Sequence, residues 1–180
     1  YDCDKITEIE IPKSLTAGGW DSYYYMMGAF NKCSGLKKVT FEKGTTRVAK
    51  YLFANCDGLE EIVLPDTITS IGEYAFYMYN GSDYASSSNL KKITFSENLV
   101  SIGNYAFYNC RKLASVELPE YLETIGGYSF ALSGLENLDM PDSVVTVYYN
   151  AFANCSNLSS VKLSKSLETL DREAFYDCDK

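Results

Sequence analysis

Ser101-Ile-Gly-Asn-Tyr-Ala-Phe-Tyr-Asn-Cys110 is a phrase that the chain keeps restating, an Ala-Phe pair with a Cys three residues after the Phe. The Phe recurs at Phe30, Phe53, Phe76, Phe107, Phe130, Phe152 and Phe175, in steps of 23, 23, 31, 23, 22 and 23 residues. A fixed period in this range is the signature of stacked structural repeats. It decides a question that length leaves open, since 180 residues suit one globular domain equally well.

Outward from the Phe, every slot of the unit repeats. An opening Leu slot holds Ile6, Leu36, Leu59, Leu90, Leu113, Leu135 and Leu158. Three residues on stand Ile9, Val39, Ile62, Ile93, Val116, Leu138 and Val161, and two further on Ile11, Phe41, Leu64, Phe95, Leu118, Met140 and Leu163. Those last two slots alternate with polar residues, the period of a half-buried strand. One strand per repeat at one phase implies a parallel ladder along a solenoid. Pro12, Pro65, Pro119 and Pro141 share the next slot and end the strand, because proline cannot donate to a ladder. A second apolar pair follows at Ile68/Ile71, Leu99/Ile102, Leu122/Ile125, Val144/Val147 and Leu167/Leu170, and then Gly72, Gly103 and Gly126, which suit a tight bend. The Ala-Phe segment reads as a short helical turn, with Phe filling the core and the small Ala letting coils approach.

Cys3, Cys33, Cys56, Cys110, Cys155 and Cys178 all occupy the slot three after the Phe, and Ser133 and Ser87 fill the remaining copies. Buried free thiols are the expectation, since Cys is among the most buried residue types. Neighbouring coils lie close enough for a bridge, but side chains in one slot point the same way, which suits a disulfide poorly. The absence of Cys-x-x-Cys and of His argues against zinc.

Taken together, Leu-x-x-Ile/Val-x-Leu-Pro followed by Ile-Gly-x-x-Ala-Phe-x-x-Cys resembles the BspA-like class of leucine-rich repeat proteins. It departs from the commoner leucine-rich form, which puts Asn or Cys after the strand where this chain has an aliphatic residue such as Leu122. The resemblance implies a curved solenoid, a position outside the cell or on its surface, and adhesion to host or matrix proteins. It supplies no catalytic residues. Residues 1–180 are thus expected to be a single leucine-rich repeat solenoid of seven coils of about 23 residues, with a parallel strand ladder, short helical turns and loops, and to be a fragment of a longer array.

Two insertions interrupt the period. One adds 7 residues within Thr16–Tyr25 and the other adds 8 within Tyr77–Ser88. Both are rich in Tyr, Ser, Gly and Asn, and the first holds the only Trp; rigid aromatics among small polar residues are the composition of a paratope. Candidate binding residues are therefore Trp20, Tyr23, Tyr24, Tyr25, Tyr77, Met78, Tyr79 and Tyr84. Folding of Trp20 and the tyrosines back over the solenoid is the competing reading. On the strand surface, Lys37-Lys38, Glu60-Glu61 and Lys91-Lys92 sit at equal positions on successive strands, so Lys38, Glu61 and Lys92 join the candidates; a charge ladder that fixes stacking explains them equally. Tyr51, Tyr74, Tyr105 and Tyr128 form an aromatic ladder two residues before each Phe, either a stabilising stack or a sugar-binding strip.

The net charge of −8 opposes nucleic acid and anionic membranes as partners. No apolar run approaches the length that spans a bilayer. Without His the chain lacks the usual general base near neutral pH, and no phosphate-cradling glycine motif is present. A non-enzyme that needs no cofactor is the result. The leading reading is a cell-surface or secreted recognition module for a host or matrix protein; a carbohydrate-binding module and a passive stalk are the alternatives. End-to-end self-association is also expected, with the coil near Ile6–Ile11 meeting the coil near Phe175.

Overall fold

The computed structural model describes residues 3–22, 25–78 and 88–179, and of 20–22 and 25–27 it describes the backbone. The chain winds as a stack of coils whose interior is one contiguous apolar cluster, reaching from Ile11 to Ala174. Each coil has three sides, and each side meets its neighbours through a different set of backbone bonds.

The Leu-slot side carries strands β1 (Glu8–Ile11), β4 (Lys38–Phe41), β6 (Glu61–Val63), β8 (Lys92–Thr94), β11 (Asn137–Asp139) and β13 (Ser160–Lys162). They pair in parallel as β1–β4, β6–β8 and β11–β13, in a register that sets Ile9 beside Val39, Ile62 beside Ile93 and Leu138 beside Val161. The expected ladder is therefore present in pieces. Leu113–Leu118 forms no strand and is tied to the next coil by the Glu136 N–H to the Ala114 carbonyl, 3.0 Å. β1 stops immediately before Pro12, and the Pro carbonyl opens the following turn by accepting the Leu15 N–H at 3.1 Å. Of the three copies that lack Pro, one holds Glu42 and two hold Ser; the Ser96 and Ser164 hydroxyls each accept a backbone N–H two residues on, at 3.1 Å.

The continuous sheet lies on the second side. The second apolar pair supplies two-residue strands β5 (Arg47–Val48), β7 (Ser70–Ile71), β9 (Ser101–Ile102), β10 (Thr124–Ile125), β12 (Thr146–Val147) and β14 (Thr169–Leu170), joined in parallel into six strands. Val48, Ile71, Ile102, Ile125 and Val147 point inward and are buried. Gly103 and Gly126 close this side, and neither has positive φ. Their role is close approach rather than a bend: a Cβ would stand 2.7 Å from the Glu73 nitrogen at Gly103 and 2.6 Å from the Asn104 nitrogen at Gly126.

The third side corrects the expected helical turn. Among the described residues there is no helix. The Ala-Phe segment is a run of tight turns, with Ala106 N–H to Gly103 O, Tyr108 N–H to Tyr105 O and Cys110 N–H to Phe107 O at 3.2–3.3 Å. In most copies the residues two before and two after the Phe hold positive φ, as at Tyr105 (56°) and Asn109 (61°), and this left-handed backbone prevents a helix from propagating. The remaining amides turn outward to the next coil: Tyr105, Phe107 and Asn109 donate to Gly127, Ser129 and Ala131 at 2.9, 2.7 and 2.9 Å. Beneath this side the Phe rings stack in one column from Phe30 to Phe175, with centroids 5.0–5.7 Å apart.

Candidate recognition surface

Alternation along β1, β4, β6 and β8 buries one set of side chains and leaves the other in solvent, as the pleat requires. The outward set includes three of the charged candidates. Lys38 stands beside Glu8, and Glu61 beside Lys92. Two residues along β6 from Glu61, Val63 is 65% exposed, with Thr94 beside it in register. Ion pairs bridge successive coils at the edge of this face: Lys38–Glu8 at 3.1 Å, Lys91–Glu60 at 2.7 Å and Lys162–Asp139 at 2.8 Å. The Lys91 hydrogen bond and charge hold the Glu60 carboxyl below the usual carboxylate range, and Glu60 in turn holds the Lys91 ammonium above its own. All these groups are exposed, so each pair contributes little to stability.

The turn side holds the tyrosines. Tyr51, Tyr74, Tyr105 and Tyr128 stack face to face with centroids 4.8 Å apart. A sugar lies against the face of an aromatic ring, and here each inner ring face is covered by the next ring. The ladder presents edges, which suits a stabilising stack and not a sugar strip. Burial pushes the Tyr105 phenol well above its usual range, and the neighbouring tyrosines add to the shift. Two candidates of the second insertion are buried and are corrected here, Tyr77 as a member of this stack and Met78 as the residue after it. Tyr77 is 7% and Met78 5% exposed. Tyr77 lies parallel to Tyr108 at 5.2 Å and edge-on to Tyr74 at 5.4 Å, because the coil continues its turn through Met78, whose N–H reaches Tyr108 O. Tyr79 and Tyr84 lie outside the described residues.

The first insertion is a β-hairpin. β2 (Gly19–Ser22) runs antiparallel to β3 (Tyr25–Gly28), placing Trp20 opposite Met27. Tyr23 and Tyr24, between the two strands, lie outside the described residues; of Trp20 and Tyr25 the backbone is placed. The hairpin leaves the coil after Gly18 and returns where the Ala29 N–H meets the Gly18 carbonyl at 2.5 Å. Its base is pressed onto the next coil: a Cβ would come within 2.3 Å of the Leu52 Cα at Gly18 and within 2.6 Å of the Tyr51 and Ala54 carbonyls at Gly28. Tyr51, under this base, is 2% exposed, whereas Tyr74, Tyr105 and Tyr128 are half-buried.

The thiols lie beneath the turn side. Cys33, Cys56, Cys110 and Cys155 are free and buried, and Cys3 and Cys178 are free and half-buried. Cys155 Sγ approaches the Phe130 carbonyl at 3.2 Å and the Ser133 hydroxyl at 3.2 Å. Burial pushes Cys56 and Cys110 up to about 12 and Cys155 up to about 11. Ser87 lies outside the described residues; its neighbour Ser88 is buried and hydrogen-bonds to Cys110.

A BspA type leucine-rich repeat region matches residues 1–85 and 80–180, in six copies. The chain belongs to the BspA-type leucine-rich repeat family. Among solved structures it is similar to a leucine-rich repeat protein of T. pallidum, at 21% identity over 74% of this chain and 70% of that one, with a TM-score of 0.55. A Bacteroides ovatus leucine-rich repeat protein aligns at 21% identity over 98% of this chain and 65% of its own, with a TM-score of 0.36. For a Eubacterium ventriosum leucine-rich repeat protein the values are 20%, 97%, 59% and 0.48. The chain thus spans less than two thirds of either of these last two. No curated protein matches it. The T. pallidum likeness bears on the fold, and the BspA-type unit accounts for the strand, turn and Phe slots alike.

Proposed function

We propose that this BspA-type array is a recognition module, secreted or displayed on a cell surface, that binds a protein partner across the outward face of the Leu-slot strands. The observation that carries the reading is the composition of that face. An exposed aliphatic group, Val63, sits among Thr94, Glu61 and Lys92 on backbone that the ladder holds rigid. An apolar centre inside a polar, charged rim is how protein interfaces are built, and mixed charge supplies specificity and steering. Trp20 and the tyrosines of the hairpin are proposed to extend the contact. The scaffold acts by binding and not by catalysis.

The test is a biosensor panel of purified extracellular-matrix proteins and immobilised glycans. A matrix protein should bind, and Lys38→Glu with Lys92→Glu should weaken that binding by roughly tenfold or more at an unchanged melting temperature. Binding confined to glycans, or unaffected by the reversals, would overturn the reading.

A further inference from the structure

The six-stranded side carries a shallow groove of about 570 Å³ on its outer surface, crossing four successive coils from Gly44 to Glu123. Thr46, Thr69 and Val100 form its floor, tied by Thr69 N–H to Thr46 O at 2.8 Å and Val100 N–H to Thr69 O at 2.9 Å. The polar walls are already committed. The Thr67 hydroxyl donates to Thr45 O at 2.7 Å, that of Thr69 to Thr46 O at 3.2 Å, and the Asn98 amide to Asp66 O at 2.9 Å. These bonds hold the coils together and leave few donors for the hydroxyls of a sugar.

What remains is acidic and aromatic. Asp66 and Glu123 line the groove, no Lys or Arg does, and among the described residues neither carboxylate is in an ion pair. Tyr121 closes the groove at 63% exposure. Unlike the tyrosines of the turn side, it has no ring partner among the described residues. A free ring beside unpaired carboxylates attracts a cation, and the net charge of −8 draws such a partner from a distance.

We propose that this groove binds an extended, basic peptide segment of a partner protein, with an Arg or Lys side chain against the Tyr121 ring and within reach of the Asp66 and Glu123 carboxylates. Four coils at a spacing of about 4.8 Å span roughly 14 Å, the length of about four extended residues. The proposal deepens the protein-recognition reading and lies on a different side of the coil from Val63, so separate variants test the two.

The experiment titrates the isotope-labelled protein with the capped pentapeptide Thr-Val-Arg-Val-Thr, with its Glu-centred counterpart, and with maltose, followed by amide NMR. The Arg peptide should shift the amides of Thr46, Thr69, Val100 and Glu123, and added salt should weaken it. Tyr121→Ala and Asp66→Asn should each weaken it roughly fivefold without lowering the melting temperature, since both side chains face solvent. Equal response to the Arg and Glu peptides, response to maltose alone, or no response would overturn the groove. Any of these, alongside matrix binding that Lys38→Glu and Lys92→Glu weaken, would leave the strand-face reading standing.

Discussion

Raising the pH should unfold this protein through its buried thiols. Cys56 and Cys110 are held protonated up to about 12 and Cys155 up to about 11, against 9.0 for a free thiol, with burial the main cause. Between pH 9 and 11 the folded state therefore keeps three protons that the unfolded chain releases. Stability is lost as the pH rises above the unfolded value, at about 1.4 kcal/mol per pH unit for each thiol, or roughly 4 kcal/mol per unit for the three. Over two units that amounts to roughly 8 kcal/mol, comparable with the whole stability of a domain, about 5–15 kcal/mol. The assay is urea unfolding under reducing conditions, followed by circular dichroism at several pH values from 8 to about 10.5. Tyrosines also titrate there, so the decisive quantity is a difference. Cys110→Ser should flatten the slope by about 1.4 kcal/mol per unit, and the Cys56→Ser, Cys110→Ser, Cys155→Ser combination by roughly three times as much. Parallel lines for wild type and Cys110→Ser would refute the reasoning.

Phe107→Ala removes a ring stacked between Phe76 and Phe130 at 5.1 and 5.0 Å, and should cost about 3–5 kcal/mol in urea unfolding. Ser129 fills a slot held by Ala in neighbouring coils, and its buried hydroxyl has no partner among the described residues; Ser129→Ala should stabilise by about 1 kcal/mol, raising the melting temperature by roughly 2–4 °C. Glu60, Asp142 and Glu42 are held below the usual carboxylate range by Lys91, Lys165 and Lys13. Their contribution is present above the unfolded carboxylate values and fades as the pH falls through the lower folded ones; in a carboxyl NMR titration, Lys91→Gln should return Glu60 towards its ordinary range. Val161, Leu163 and Leu170 are exposed on the last described coil, and sedimentation velocity should show concentration-dependent association that Leu170→Glu suppresses.

The apolar slots were legible because each is written many times over. Leu113, Leu135 and Leu158 report the same place in the core, so one ambiguous copy does no harm. The six-stranded side was not legible, since a two-residue strand such as Thr124–Ile125 is too short for alternation to show. The tight turns hid for another reason: positive φ falls on Tyr105, Tyr128 and Leu132 and not on glycine, and each of these amides bonds to the next coil. Gly103 and Gly126 were read as bends although they are contacts, because a lone sequence cannot separate glycine's two uses. The hairpin lacked the Asn-Gly or Asp-Gly signal that marks two-residue turns. Composition placed Tyr77 and Met78 on a loop, whereas they complete the turn before it.

On the Phe side, the amides that leave one coil all point the same way. Lys32 donates to Asn55, Asn55 to Tyr77, Asn109 to Ala131 and Asn154 to Tyr176, and each such bond aligns a peptide dipole with the one behind it. Added head to tail, these dipoles polarise the Phe side with its positive end towards the C-terminal coil, the opposite sense to an α-helix, whereas on the six-stranded side the amides point back, as from Thr69 to Thr46 and from Glu123 to Val100. Each further unit inserted in the stack would lengthen both columns. Because the two sides run in opposite senses, their columns offset each other, and a stack can lengthen without building a growing charge at either end.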